Sequence, residues 1–296
     1  MSSSFHPIAG AYRRLHKKIV YAAPASAAYH NESAGNAREA GGPQEGGAVL
    51  EKRAYDDIAE VLGVEPGITA IIGSGGKSTL MDALAHAVAR GGATALITTS
   101  THIRRAQRCP VYMGADAAEL GGMLAERAVV CCGTPAQDGK LAAPPLPWET
   151  LAGIADYVFV EADGSRGLPV KAHAAHEPVI PAAARLMIDV VGAQAFDRPL
   201  SEVAHRPELF CVRAGAAPHE ALTPEHLAAV VERERAEGAL HLPPGARYVL
   251  AVTHGALPGA GTRAARLARA LDEPVYLLDH PASLCARARA DTGVAR

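Results

Sequence analysis

Apolar runs alternate with stretches of helical periodicity along the chain from residue 54 onward. Short, nearly continuous apolar runs predict buried strands at 68–72, 95–98, 128–132, 157–160, 186–191, 248–252 and 275–278. Between them, apolar residues recur at helical spacing in 78–90, 116–127, 148–154, 224–237 and 262–271. Apolar strands that alternate with helices are typical of a mostly parallel sheet covered on both faces. The pattern therefore predicts an α/β fold of three layers.

Residues 1–53 differ from this pattern. They carry Ser, Ala, Gly and scattered charges without a sustained period of either kind, which predicts a poorly ordered N-terminal extension. The basic patch 13–18 is followed by a short apolar run that Pro24 interrupts, so the segment does not fit an export signal. We expect a single α/β domain over residues 54–296.

The first of these predicted strands runs into a glycine-rich turn and then into a helix. Turn and helix start read Gly73-Ser74-Gly75-Gly76-Lys77-Ser78-Thr79. Glycines let backbone N–H groups close around phosphate oxygens, and a helix N-terminus adds partial positive charge. In such a loop Lys77 reaches the β- and γ-phosphates, and the Ser78 hydroxyl binds Mg²⁺. We expect these seven residues to bind a nucleotide in a P-loop NTPase-like domain.

This loop departs from the standard pattern G-x-x-x-x-G-K-[ST]. Ile71 stands where that pattern has its first glycine, and the tighter form resembles the loops of Mur-type ligases. A guanine-specific protein would carry an N/T-K-x-D element after a later strand, where this chain has Thr253-His254-Gly255. The sequence therefore favours ATP over GTP.

Acidic and hydroxyl side chains follow two other predicted strands. Glu161 and Asp163 end the strand 157–160, and they share a side if the strand continues that far. Thr99 ends the strand 95–98. Since ligands of open parallel sheets lie at the carboxyl ends of strands, we expect all three residues near the phosphates. Ser78, Glu161 and Asp163 are the candidate Mg²⁺ ligands, and one carboxylate is a candidate base.

Two cations come directly after the acidic pair. Arg166 and Lys171 are candidates to stabilise charge that develops on a phosphate or an anionic substrate. Lys171 is one of only six lysines in the chain. His173, His176 and Glu177 raise a zinc interpretation, but their spacing matches no zinc-protease helix and Pro178 disfavours a long helix.

Composition excludes several classes of protein. The 29 Lys plus Arg against 31 Asp plus Glu leave a net charge of −2, which disfavours a nucleic-acid binder. The sequence contains no uninterrupted run of about 18 apolar residues, so it predicts no transmembrane helix. The five cysteines lack paired spacings, so a reducing cytoplasm is the expected location.

Several segments together resemble one family. They are G-S-G-G-K-S-T, T-T-S-T, V-E-A-D-G-S-R-G-L-P-V-K, H-E-P-V-I-P and H-R-P-E, spread over about residues 54–280. They resemble the YqeC family, described as accessory or maturation proteins for selenium-dependent molybdenum hydroxylases. The resemblance implies a hydroxylase, or the machinery that matures its cofactor, as partner. His173 stands where the family pattern has proline, and this departure weakens the case for a functional role of His173.

The sequence supports three functions. The first is a Mg²⁺-dependent ATPase that assists maturation of such a hydroxylase or its cofactor. The second is an ATP-dependent ligase of the Mur type, which makes an acyl-phosphate and transfers the acyl group to an amine. The third is a non-catalytic protein whose docking to a partner is switched by bound nucleotide.

Overall fold

A computed structural model describes residues 18–23, 49–54 and 58–279. These residues form fifteen strands, in chain order β1 (Lys18–Ala23), β2 (Val49–Ala54), β3 (Gly67–Gly73), β4 (Ala95–Thr99), β5 (His102–Arg104), β6 (Val111–Tyr112), β7 (Val129–Cys132), β8 (Thr134–Pro135), β9 (Lys140–Ala142), β10 (Tyr157–Glu161), β11 (Val170–Lys171), β12 (Ala184–Gly192), β13 (Ala204–His205), β14 (Arg247–Thr253) and β15 (Val275–Leu278).

Along the chain, the helices lie mostly in the segments that connect strands of the central sheet. They are α1 (Ile58–Val61), α2 (Lys77–Arg90), α3 (Ala117–Arg127), α4 (Trp148–Ile154), α5 (Leu200–Val203), α6 (Pro207–Ala214), α7 (Pro224–Ala236) and α8 (Ala260–Ala270). Side-chain caps begin two of them: Asp116 accepts from the N–H groups of Ala118 and Glu119, and Thr223 accepts from His226 N–H. No helix in the described part of the chain is long and apolar enough to cross a bilayer.

Ten strands form one central sheet in the order β2-β1-β15-β14-β12-β3-β10-β4-β7-β6. All its pairings among the described residues are parallel. Two small sheets stand apart, one of β5, β9 and β8 with antiparallel pairings and one of β11 and β13. The predicted α/β fold with a mostly parallel sheet is confirmed.

Helices cover both faces of the central sheet. Successive residues of β3 point to opposite faces, so Ile72 packs in one apolar cluster and Ile71 in the other. Buried residues of α2 share the cluster of Ile71, whereas α3, α4, α7 and α8 supply residues to the cluster of Ile72. The three-layer arrangement predicted from the apolar runs is therefore confirmed.

Two strands come from the segment predicted as an N-terminal extension. β1 pairs with β15 and β2 pairs with β1, so both extend one edge of the sheet. Their sequences have no sustained alternation, and the periodicity did not predict them. The rest of 1–53 lies outside the described residues, and the division of the chain near residue 53 stays a prediction.

The strand order determines where the site residues meet. β10 lies between β3 and β4 in the sheet, although it follows both in the chain. Glu161, at the end of β10, is therefore paired with Ile71 on one side and Thr99 on the other. This strand order brings the loops that follow β3, β10 and β4 next to one another at the carboxyl ends of the strands.

Candidate functional site

The predicted phosphate loop, residues 73–79, is held in its turn by backbone conformations that require glycine. Gly73, Gly75 and Gly76 have φ angles of +85°, +78° and +121°, where L side chains are strained. A Cβ on Gly75 would lie 2.5 Å from the backbone nitrogen of Gly192 in β12. At Gly75 the loop therefore packs directly on the neighbouring strand, and this contact leaves no room for a Cβ there.

Lys77 begins α2, and its side chain turns back into the loop. Its Nζ donates to the carbonyl of Gly73 at 2.6 Å and lies 2.8 Å from Asp163 Oδ1. The same Nζ lies 3.9 Å from Glu161 Oε1. The ammonium thus stands between the loop and both predicted carboxylates.

Ser78 and Glu161 meet at the mouth of the loop. The Ser78 hydroxyl donates to Glu161 Oε2 at 3.0 Å, and Ser78 is exposed. Burial raises the pKa of Glu161, although Lys77 and the Ser78 hydrogen bond oppose that effect. The pair places two oxygen atoms of the type that Mg²⁺ prefers beside the start of α2.

Asp163 is fully buried and surrounded by donors. The N–H of Gly73 donates to its Oδ2 at 2.8 Å, and Lys171 Nζ lies 3.0 Å from the same oxygen. Burial opposes ionisation of Asp163, but Lys77, His173 and Lys171 outweigh it and lower its pKa. Asp163 therefore remains a carboxylate that fixes Lys77 and the end of β3.

Two cavities open at the carboxyl ends of these strands. A smaller one of about 600 Å³ is lined by the phosphate loop and Glu161, and a larger one of about 1220 Å³ lies beside it. Both share His102, Lys140, Gly164 and Arg166 in their walls. The loop therefore faces a pocket that continues into a second space.

Comparison with known proteins agrees with the sequence segments named above. The family model described as YqeC protein matches residues 69–208. The chain is 32% identical over 192 residues to the "Uncharacterized protein YqeC" of Escherichia coli (strain K12), covering 62% of this chain and 74% of that protein. The chain belongs to the YqeC family. No solved structure matches it significantly.

The segment matched by the YqeC family model contains most of the site, including the loop, both carboxylates and Lys171. Lys171 does not line either cavity. Its ammonium is buried, donates to the Gly164 carbonyl at 2.7 Å and contacts Glu177, which also accepts from Arg206. Burial opposes ionisation of Glu177, but Arg206 and Lys171 outweigh it and lower its pKa. Lys171 thus belongs to an interior charge cluster, whereas Arg166 lines both cavities.

Thr99, also expected near the phosphates, has its hydroxyl turned to the sheet. It donates to the backbone carbonyl of Glu161 at 2.7 Å and accepts from Thr101 N–H at 2.9 Å. Ser74 in the loop is buried, and its hydroxyl has no hydrogen-bond partner among the described residues. Thr99 therefore fixes the end of β10, and Ser74 keeps an unused donor inside the loop.

His173 belongs to this site, although its place in the sequence did not predict it. Its Nε2 lies 2.9 Å from Asp163 Oδ2, and its Nδ1 lies 2.7 Å from Glu234 Oε2. Arg213 donates to the His173 carbonyl and to Glu234 Oε1, both at 2.7 Å. Glu234 is on α7 and Arg213 on α6, so no local spacing could have signalled the cluster.

The charges of this cluster favour a protonated imidazole. Burial lowers the pKa of His173, but the bonds to Asp163 and Glu234 raise it to about 9. The zinc interpretation fits poorly with this geometry, because both ring nitrogens of His173 face carboxylates. Within residues 58–279 no group of three or more His, Cys, Asp or Glu side chains is placed to hold a metal ion.

Proposed function

We propose that the protein binds ATP with Mg²⁺ at the phosphate loop and hydrolyses it. The observation that carries the proposal is the hydrogen bond between Ser78 and Glu161, beside Lys77 at the N-terminus of α2. A hydroxyl, a carboxylate and an ammonium at the end of a glycine-rich loop are the groups that bind a nucleotide triphosphate and its metal.

The chain's residues divide into three roles under this proposal. The backbone from Gly73 to Gly76, with Thr79, surrounds the phosphates, and Lys77 neutralises their charge. Ser78 and Glu161 hold Mg²⁺, which when bound offsets phosphate charge. Arg166 in the pocket wall stabilises charge that develops during hydrolysis.

Asp163 acts differently from Glu161 in this proposal. Both its oxygens face donors from Gly73, Lys77, Lys171 and His173. A carboxylate already engaged by so many donors is a poor metal ligand, whereas Glu161 has a single hydroxyl to release. We therefore propose Glu161 as the metal ligand and Asp163 as the residue that positions Lys77.

ATP rather than GTP is the proposed nucleotide. β14 ends in Thr253 and is followed by His254 and Gly255, without the N/T-K-x-D element of guanine-specific proteins. The Thr253 hydroxyl donates to the Gly75 carbonyl at 2.5 Å, and His254 lines the phosphate-loop pocket. This strand end therefore lies beside the loop, and its residues do not favour guanine.

Maturation of a selenium-dependent molybdenum hydroxylase, or of its cofactor, is the proposed cellular role. Its support is the family resemblance, through which a hydroxylase is the proposed partner. Co-purification with and without ATP and Mg²⁺ tests this part. Hydroxylase recovered in equal, background amounts under both conditions would count against it.

Calorimetric titration of ATP and GTP, with and without Mg²⁺, tests the nucleotide site. Lys77→Ala should weaken ATP binding roughly tenfold to 100-fold, because charge-assisted contacts to phosphate are lost. The matched control is Arg185→Gln, which removes an exposed cation that donates to Pro66 before the start of β3, at the opposite edge. Unchanged ATP affinity in a folded Lys77→Ala protein would refute the proposal.

A further inference from the structure

The small antiparallel sheet beside the phosphate loop carries an unfavourable pair of like charges. Arg104 of β5 lies directly opposite Lys140 of β9 in the strand register. Like charges at directly opposed positions destabilise an antiparallel pair. Within the described part of the chain neither side chain has a hydrogen bond or an ion pair with a carboxylate. A sheet this small gains nothing structural from such a pair.

Both of these cations face the phosphate-loop pocket. Arg104, Lys140 and Arg166 line the smaller cavity together with Lys77, and Glu161 is the carboxylate in that wall. Glu161 already accepts from Ser78. His102 and Arg104 flank the buried Ile103 in β5, and both are exposed. The junction between the two cavities therefore carries an excess of positive charge.

The rest of the larger cavity adds no net positive charge to this junction. Arg206 and His205 line it, and burial together with Arg206 and Lys171 lowers the pKa of His205. Three carboxylates also line it, namely Asp138, Glu177 and Glu208. Glu177 is neutralised by Lys171 and Arg206. The positive charge is thus concentrated where the two cavities meet, and the volume of about 1220 Å³ has room for a ligand besides the nucleotide.

The strand order separates this junction from the other end of the nucleotide pocket. His254 follows β14, two strands from β3 on one side, and His102 follows β4, two strands from β3 on the other. A nucleotide whose base lies toward His254 leaves the side of His102 to another molecule. The phosphate loop would then stand between the two ligands.

We propose that the larger cavity binds a second substrate, a small molecule with a phosphate or carboxylate group. Arg104, Lys140 and Arg166 bind that anionic group at the junction with the phosphate-loop pocket. The inference rests on the proposed nucleotide site and extends it, because it names the class of molecule on which the nucleotide-dependent reaction acts.

Anion titration of nucleotide-loaded protein tests the second site. The protein is saturated with Mg²⁺ and the non-hydrolysable β,γ-imido analogue of ATP, so that the phosphate loop is filled. Inorganic phosphate is titrated in one arm and succinate in the other, which distinguishes a phosphorylated from a carboxylate ligand. Arg104→Gln and Lys140→Gln should each lower the affinity for the anion roughly tenfold, and should lower the affinity for the ATP analogue by less.

Arg105→Gln is the matched control. Arg105 is the next residue along the chain and is exposed, but it lines neither cavity. Its loss should leave anion affinity unchanged. An equal loss of anion affinity in this control would show a general charge effect and overturn the site.

The remaining outcomes separate this inference from the proposed function. If the analogue binds and neither anion binds the loaded protein, the second site is wrong and the nucleotide site stands. If Lys140→Gln weakens the analogue more than the anion, these cations serve the nucleotide and the second site is again wrong. If the analogue itself does not bind, the proposed function fails, and the same titrations on unloaded protein then decide the anion site through Lys140→Gln.

Discussion

Asp163 and His173 share a buried hydrogen bond of 2.9 Å that links the phosphate loop to the helical layer. Asp163 holds the N–H of Gly73 at the end of β3, and His173 holds Glu234 on α7 with its other ring nitrogen. The two residues thereby join β3 to a helix on the face opposite α2. A change of charge at either residue therefore affects the contacts with both β3 and α7.

Protonation of His173 should make stability depend on alkaline pH. Its pKa is raised from 6.5 to about 9 in the folded protein, so its stabilisation is complete below about pH 6.5 and is lost as the pH rises through about 9. Across that range we expect a loss on the order of 3 kcal/mol in the free energy of unfolding. Urea unfolding at several pH values measures it.

His173→Gln provides the comparison for this prediction. Glutamine cannot take up the extra proton, so the free energy of unfolding of the variant should fall less steeply between about pH 6.5 and about pH 9. His219→Gln, which removes an exposed histidine, should retain the wild-type slope. Parallel curves for wild type and His173→Gln would show that the imidazole is not charged in the fold.

Asp189 should have the opposite effect on stability. It is buried on β12, where its Oδ2 accepts from the Tyr248 hydroxyl at 2.8 Å. Burial raises its pKa from 3.8 to about 6, so ionisation of Asp189 lowers stability as the pH rises from about 4 to about 6. Asp189→Asn removes this cost and keeps a hydrogen-bond acceptor for Tyr248.

The expected gain from Asp189→Asn depends on pH. Relative to wild type, the variant should gain up to about 3 kcal/mol in free energy of unfolding between about pH 4 and about pH 7. Denaturant unfolding at both pH values measures the difference. Asp138→Asn, which changes an exposed carboxylate, should show no such gain. A gain of equal size at both pH values would mean that the substitution acts by packing instead of charge.

Gly75→Ala should abolish nucleotide binding and destabilise the fold. A Cβ there meets the backbone of Gly192 at 2.5 Å and 2.8 Å, and φ is +78°. We expect a loss of about 1 to 2 kcal/mol from the left-handed backbone and a further loss of about 1 to 3 kcal/mol from the steric clash. Thermal and urea unfolding measure the sum.

The matched control for Gly75 is Gly245→Ala. Gly245 has nearly the same φ, +79°, but a Cβ there would meet nothing within 4 Å. Its substitution should cost only the backbone contribution and leave nucleotide affinity unchanged. Equal destabilisation of the two variants would mean that the contact between the loop and β12 yields without cost.

The sequence could predict those parts of the site that are local. The unit of β3, loop and α2 follows from an apolar run, glycines and a helical period in adjacent residues, and the structure has it at Gly67–Arg90. Glu161 and Asp163 were predictable because polar residues at the end of a buried strand need a reason to be there. Each of these signals lies within one continuous segment of the chain.

The parts that were not predicted depend on distant or very short segments. Asp163 and Glu234 together favour the charged form of His173, and Glu234 is 61 residues further along the chain. Arg104 and Lys140 lie on strands of three residues, too short for a period to be visible. Lys171 drew notice because lysine is rare in this chain, but its side chain is buried in ion pairs with Asp163 and Glu177.

The position of β3 between β10 and β12 has a consequence for synthesis of the chain. Both neighbours of β3 are made after it, and Gly73 meets Asp163 across 90 residues. A nascent chain that has just completed the loop therefore has neither of the strands that β3 pairs with nor the carboxylates that hold Lys77. Pairing across such separations is slow to form. The proposed nucleotide binding would therefore require the completed sheet, and a ligand that binds only the folded site would stabilise complete chains over incomplete ones.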